Sequence, residues 1–246
     1  MFRDKVVLIT GASRGIGKAI AIEFAKQEAI VLINFRSNKK EAEKTLKKVL
    51  EFTMQAFLYE ADISDEFLVN QMMNAILNRF GRVDFLINNA GIGLDKLFLT
   101  SSSKDWYSVF NTNLFGTMHC CHSILKSMIK NHNGRIINIS SLSAISPRKG
   151  QCIYAASKSA LTVFSNTLAK EVGRWNICVN VVMPGMIETD MTSSLIEKCA
   201  EKELKYIPLE RFGKALDVAY MVLFLCSNEA AFITGSVFKI DGGSMI

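Results

Sequence analysis

Tyr154 and Lys158 stand four residues apart in the stretch YAASK. In a helix, positions i and i+4 lie one above the other on one face, so the phenol and the ammonium project together. On a solvated face such a pair contributes a few tenths of a kcal/mol at most and has no chemical role. Facing a cleft, the same pair can move a proton. A free phenol titrates near 10 and is a sluggish acid or base at neutral pH. An ammonium about 5 Å away, at an effective dielectric of ~20, favours the phenolate by roughly 3 kcal/mol, or about two pK units. The expectation is that Lys158 lowers the pKa of Tyr154.

A second chemical signal lies near the amino terminus, where TGASRGIG carries Gly11, Gly15 and Gly17 between an apolar run and a helical pattern. Gly11 permits a sharp turn, Gly15 lets a pyrophosphate approach the backbone, and the free amides at a helix start favour an anion. Any tight strand-to-helix turn can be Gly-rich, so the context carries the reading. At the end of the next apolar run stands NFRSN, with no carboxylate to bind a ribose 2′-hydroxyl. Arg36 there and Arg14 within the glycine turn can instead pair with a 2′-phosphate, which predicts NADP; as plain surface arginines they would carry no such meaning.

The elements that must position these groups alternate along the whole chain. KVVLIT, IVLINF, QAFLYEAD, RVDFLINNAG, GRIINISS, ICVNVVMPG and SVFKID read as strands. Helical spacing links them: Ile16, Ala19, Ile20 and Phe24; residues 38–52; Leu68, Met72, Ala75 and Ile76; a long helix through Trp106, Phe110, Leu114, Cys121 and Leu125; CIYAASKSALTVFSNTLAKEV; and 215–227. The segment 187–208 reads as less regular. Continuous apolar strands alternating with helices predict an α/β fold, one doubly wound domain over 1–246 with a parallel sheet of about seven strands covered on both faces. Such sheets bind ligands beyond the carboxyl ends of their strands, so the turns there should hold the chemistry.

Composition excludes several classes. Among 246 residues, hydrophobic residues are 49% and charged residues 21%, against a disordered or fibrous chain. The net charge of +6 is spread, and the Lys cluster at 39–48 follows a helical pattern, which reads as a solvated face and not a nucleic-acid patch. Six cysteines include no C-x-x-C pair, no histidine has metal-ligand spacing, and no metal site is expected. Reduced thiols fit a cytoplasmic location. No apolar run approaches the ~18 residues that span a bilayer.

Taken together, the motifs resemble the short-chain dehydrogenase/reductase family: TGASRGIG (10–17), NNAG (88–91), Asn113, Ser141 thirteen residues before Tyr154, YAASK (154–158) and PG (184–185). PGMIETDM, PLERFG and ITGSVFKIDGG are similar to the carrier-protein 3-oxoacyl reductases within it. The resemblance implies a Rossmann-type fold and NADPH-dependent reduction of a 3-oxoacyl thioester on acyl carrier protein. Asn113, Ser141, Tyr154 and Lys158 take the catalytic roles. Tyr154 gives a proton to the nascent alkoxide, Ser141 binds the substrate carbonyl in preference to Ser140 or Ser143, and Lys158 also holds the nicotinamide ribose. Asn113 either holds a relay water or is a satisfied buried amide. For the cofactor the resemblance implies Gly11, Ser13, Arg14, Gly15, Ile16, Gly17, Arg36, Asp62, Ile63, Asn89, Gly91, Tyr154, Lys158, Pro184, Gly185, Ile187 and Thr189. It also implies a homotetramer. Asp84 reads as structural, Cys152 as packing, and the histidines have no assigned work.

Two departures bear on the substrate. His132 and Trp175 stand where carrier-protein reductases tend to place docking bases, with Lys130 and Arg174 nearby; Trp175 can serve an acyl chain or cap a helix end. Acyl-CoA, a polyketide-like intermediate or another small ketone is the alternative substrate. A dinucleotide-binding sensor or scaffold is the alternative of another class, and it would have no use for the four catalytic side chains.

Overall fold

In a computed structural model of the chain, residues 2–190 and 192–245 are described. The strands are β1 (Val6–Ile9), β2 (Ile30–Phe35), β3 (Ala56–Glu60), β4 (Phe85–Asn88), β5 (Gly134–Ile139), β6 (Ile177–Pro184), β7 (Ile187–Glu188), β8 (Gly213–Lys214) and β9 (Val237–Ile240). The helices are α1 (Gly15–Lys26), α2 (Lys39–Val49), α3 (Glu66–Phe80), α4 (Ser103–Phe110), α5 (Gly116–Asn131), α6 (Cys152–Val172), α7 (Ser193–Leu204) and α8 (Ala215–Cys226).

Seven strands form one sheet in the order β3-β2-β1-β4-β5-β6-β9, with parallel pairing throughout. Successive residues of β1 feed opposite faces, as the period of a strand requires. Val7 and Ile9 join Ile20, Phe24 and Val222 under α1 and α8. Val6 and Leu8 join Met72, Ile76, Ile124 and Leu168 under α3, α5 and α6. The expected doubly wound α/β architecture is therefore present, with an apolar core on each side of the sheet. Chain direction across the sheet reverses between β1 and β4, so the loops leaving these neighbours diverge and open a crevice at their carboxyl ends.

Two elements depart from the sequence reading. Within 187–208, expected to be less regular, lie β7, which pairs with β8 in a small second sheet, and helix α7. Its sequence, SSLIEKCAEKEL, is mostly polar and starts without a side-chain cap, so neither a strong stripe nor a start signal marks it. The long helix after β4 is continuous from Ser103 to Asn131, but Asn111–Phe115 is wound as a π turn between α4 and α5. A one-residue change of winding leaves no imprint on hydrophobic period. Among the described residues no helix is long and apolar enough to cross a membrane.

Candidate active site

The crevice at the strand carboxyl ends opens into a cavity of about 830 Å³ lined by the loops after β1 to β6. Every residue expected at the site lines it except Gly17 and Asn113, which stand just behind its wall.

At one end the glycine turn is built for close approach. Gly11 takes φ +62°, and a Cβ there would stand 2.8 Å from the Ala90 Cα, so both the left-handed backbone and the packing exclude a side chain. Gly17 is packed as tightly, with a Cβ position only 2.5 Å from Asn89 Nδ2. Buried and half-buried polar side chains hold the turn. Asn34 accepts from the Gly11 amide (3.3 Å) and donates to the Ala61 carbonyl (3.0 Å), while Asn89 Nδ2 donates to the carbonyls of Thr10 (2.9 Å) and Gly11 (3.1 Å). Thr10 Oγ1 in turn accepts from the amides of Asn89 and Ala90. Arg14 occupies the N-cap of α1 without capping it, and no acid lies in the first turn. The unpartnered amides of that helix start therefore favour an anionic ligand, and the residues present fit a pyrophosphate.

The adenosine end is less simple than the sequence suggests. Arg36 is exposed at the end of β2, as expected, but Arg14 Nη1 lies 3.4 Å from Asp190 Oδ2 on the segment entering α7. Asp62, on the loop after β3, accepts from the amide (3.0 Å) and hydroxyl (2.7 Å) of Ser64 through one oxygen. Ile187 and Thr189 close the roof beside Pro184 and Gly185, with the Thr189 methyl 3.6 Å from where a Gly15 Cβ would sit.

At the other end the structure brings the four proposed catalytic side chains together. Lys158 is buried on α6, and its Nζ donates to the Ile139 carbonyl (2.8 Å) at the end of β5. Burial pulls its pKa down to about 8. Tyr154, one turn earlier, has its phenol raised above the ordinary value of 10.0, chiefly by burial and also by the Asp95 carboxylate, with the Ser141 hydroxyl pulling the other way. The direction is opposite to the one expected from spacing: desolvation is the largest influence on the phenol, and the Lys158 ammonium is turned toward the Ile139 carbonyl. Spacing revealed the shared face but carried no information on dielectric.

The three serines separate cleanly. Ser140 Oγ donates into α6 at the Lys158 carbonyl (3.0 Å), and Ser143 Oγ donates to Gln151 Oε1 (3.0 Å). Ser141 alone faces the phenol. Asn113, on the π turn, is fully buried; its Oδ1 accepts from the Ile92 amide (2.8 Å), and its Nδ2 donates to the Ile92 carbonyl (3.0 Å) and Ser157 Oγ (3.1 Å). Its amide is thus a bracket between the loop after β4 and helix α6, the satisfied-amide alternative, although Oδ1 and Lys158 Nζ both lie within 3.3 Å of where a Gly91 Cβ would sit.

Several residues went unread in the sequence. Asn34 and Thr10 support the glycine turn, and Gln151 and Asp95 join the loops at the carbonyl end; only Gln151 had a signal, one turn before Tyr154. Trp175 lies in the turn that follows α6, packed against the core under the Arg174 guanidinium at 4.0 Å and away from the cleft, so of its two expected uses the helix-end one fits and the acyl-chain one does not. One other expectation is corrected by position. Cys152 is exposed at the start of α6 instead of packed. Asp84 lies just before β4, at the amino ends of the strands and opposite the cleft, where it accepts from the Val6 amide (2.9 Å) and Arg82 Nε (3.1 Å).

Comparison with known proteins agrees with this geometry. A family model described as short chain dehydrogenase matches residues 5–200. The 3-oxoacyl-[acyl-carrier-protein] reductase of Thermotoga maritima is 41% identical over 242 residues, covering 98% of each chain. That of Aquifex aeolicus is 41% identical over 241 residues, covering 98% of this chain and 97% of its own. Among solved structures, levodione reductase superposes with a TM-score of 0.95 at 32% identity, over 99% of this chain and 98% of its own. An anion cradle at one end of the crevice and a half-buried tyrosine one turn from a buried lysine at the other, in a chain aligned end to end with such relatives, leave one assignment: the chain belongs to the short chain dehydrogenase family and is an oxidoreductase that uses a nicotinamide dinucleotide.

Proposed function

We propose that the protein reduces 3-oxoacyl thioesters, carried on acyl carrier protein, to 3-hydroxyacyl thioesters with NADPH, as one catalytic domain acting in the cytoplasm in fatty acid or related biosynthesis. The observation that carries the chemistry is the convergence of Ser141, Tyr154 and Lys158 on one wall of the cleft whose far end is the glycine turn. The substrate class rests on the names of relatives aligned over nearly their whole length. The preference for NADPH rests on Arg36 and Arg14 at the adenosine end and on the lack of an acid at the end of β2.

When bound, the reduced dinucleotide supplies the hydride. The chain's own part is to hold the ketone and deliver a proton. Ser141 donates a hydrogen bond to the ketone oxygen, and Tyr154 gives that oxygen its proton as negative charge develops. A phenol raised above its ordinary value stays protonated at neutral pH, which suits an acid working in the reductive direction. Lys158, with a pKa of about 8, can take and return protons near neutrality and so reload the phenol. Gly11, Ser13, Gly15, Ile16 and Gly17 cradle the pyrophosphate; Asp62, Ile63, Asn89 and Gly91 flank the adenosine side, and Pro184, Gly185, Ile187 and Thr189 the nicotinamide side.

A homotetramer fits the surface. One exposed apolar stripe runs along α8 through Leu216, Tyr220 and Phe224, and Val237 is exposed on the edge strand β9. Other exposed apolar side chains, Tyr107, Phe115 and Val163, lie on the helical segment from α4 to α5 and on α6. Two separate patches are what a dihedral tetramer requires, since it uses two different self-complementary contacts.

Turnover of an acetoacetyl group on carrier protein and on CoA, each with NADPH and NADH, is the test. The expected result is fastest loss of nicotinamide absorbance with the carrier substrate and NADPH, and a loss of about 10²- to 10⁴-fold in Tyr154→Phe with NADPH binding retained. Faster reduction of a simple ketone than of either thioester would overturn the substrate; full turnover by Tyr154→Phe would overturn the mechanism.

A further inference from the structure

Gln151 sits at the start of α6, one turn before Tyr154, and lines the cleft. Its Oε1 accepts twice, from Ser143 Oγ (3.0 Å) and from the Arg148 amide (3.2 Å), both on the loop that follows Ser141. Its Nε2 donates to Asp95 Oδ1 (3.1 Å) on the loop that follows β4. A carboxylate only accepts and the Arg148 backbone N–H only donates, so these two partners fix which end of the amide is which. One amide oxygen is doubly occupied, and one N–H is committed to Asp95. The second N–H has no partner among the described residues.

The amide is thus an oriented donor with one hydrogen to give, on the same helix as the proton donor and about 4.5 Å along its axis. Two loops hold it, so it cannot rotate away without breaking three hydrogen bonds. A 3-oxoacyl thioester carries two carbonyls separated by one carbon. A simple ketone carries one.

We infer that Gln151 is a specificity-determining residue that donates to the thioester carbonyl while Ser141 and Tyr154 take the ketone, and that Asp95 is the positioning residue that aims it. This rests on the 3-oxoacyl reading above and deepens it by naming the group that recognises the second carbonyl. A site built to bond a polar group discriminates against analogues lacking it, because its own donor is then left unpaired. The chemical step itself is unaltered; what changes is how well the two-carbonyl substrate is held in register.

The test compares kcat/KM for an acetoacetyl thioester with kcat/KM for a straight-chain monoketone, in the wild type and in Gln151→Met, Gln151→Glu, Asp95→Ala and Asp95→Asn. NADPH binding followed by fluorescence reports that each variant retains its fold. Both Gln151 variants should lower the thioester-to-monoketone ratio about tenfold, mainly through KM, as the loss of one hydrogen bond predicts. Asp95→Ala should lower it in the same sense, and Asp95→Asn, whose amide oxygen still accepts, should recover most of the loss. A ratio unchanged in both Gln151 variants, whatever the absolute rates, overturns the inference while leaving the 3-oxoacyl reading intact. A wild type that prefers the monoketone overturns that reading and this inference together.

Discussion

The Tyr154 phenol shares the cleft wall with Lys158, one turn along α6, and feels the charge of Asp95 on the loop after β4. Burial makes its ionisation unfavourable, and Asp95 adds to that by opposing a second negative charge. In the proposed reduction Tyr154 acts as the protonated phenol, so the rate should fall as pH rises through the phenol's pKa. Asp95→Asn removes the anion and keeps a hydrogen-bond acceptor. In that variant the alkaline limb of kcat/KM for reduction should move to lower pH, and the acid limb of the reverse oxidation should move the same way. Rates measured across alkaline pH in both directions check this; a limb that stays put, or moves up, removes Asp95 from control of the phenol.

At the scale of the element, α4 anchors the loop that carries Asp95. Ser102 and Asp105 form a reciprocal capping box, and Asp105 also pairs with Lys96 at 2.7 Å, tying the loop after β4 to the helix start. These contacts hold the Asp105 carboxyl at about 2, below its ordinary 3.8, with the Lys96 hydrogen bond the largest cause. A folded value below the unfolded one means the stabilisation is complete above the ordinary value and is lost as pH falls through about 2. Ser102→Ala removes one side of the box and should cost about 1 kcal/mol, lowering Tm by roughly 2–4 °C for a chain of this size. The deficit should shrink as a thermal-melt series approaches the acid end of this range; a deficit independent of pH would mean the box does not work through Asp105.

Across the whole molecule, two surfaces are unfinished. The edge strand β9 offers unpaired backbone groups, and α8 exposes the stripe of Leu216, Tyr220 and Phe224. An open edge and an exposed apolar row each favour association with another chain. Tyr220→Asp combined with Phe224→Asp places charge in that row without touching the cleft. On the proposed assembly, light scattering should report tetramers for the unaltered protein and dimers for the double variant, the second patch holding each pair. A monomeric wild type, or a double variant that stays tetrameric, would remove this surface from the assembly.

Much of the molecule was legible in the residues because the determining interactions are local or periodic. Continuous apolar runs gave the seven strands of the sheet, glycines gave the turn whose backbone admits no side chain, and the four-residue spacing gave one face to Tyr154 and Lys158. The polar helix α7, the π turn under Asn113 and the direction of the Tyr154 shift were decided in three dimensions. So were the Gln151 clamp and the pairing of Arg14 with Asp190, residues 176 positions apart in the chain. Winding, dielectric and contacts between distant loops depend on what packs against a side chain, and spacing along a chain does not carry that.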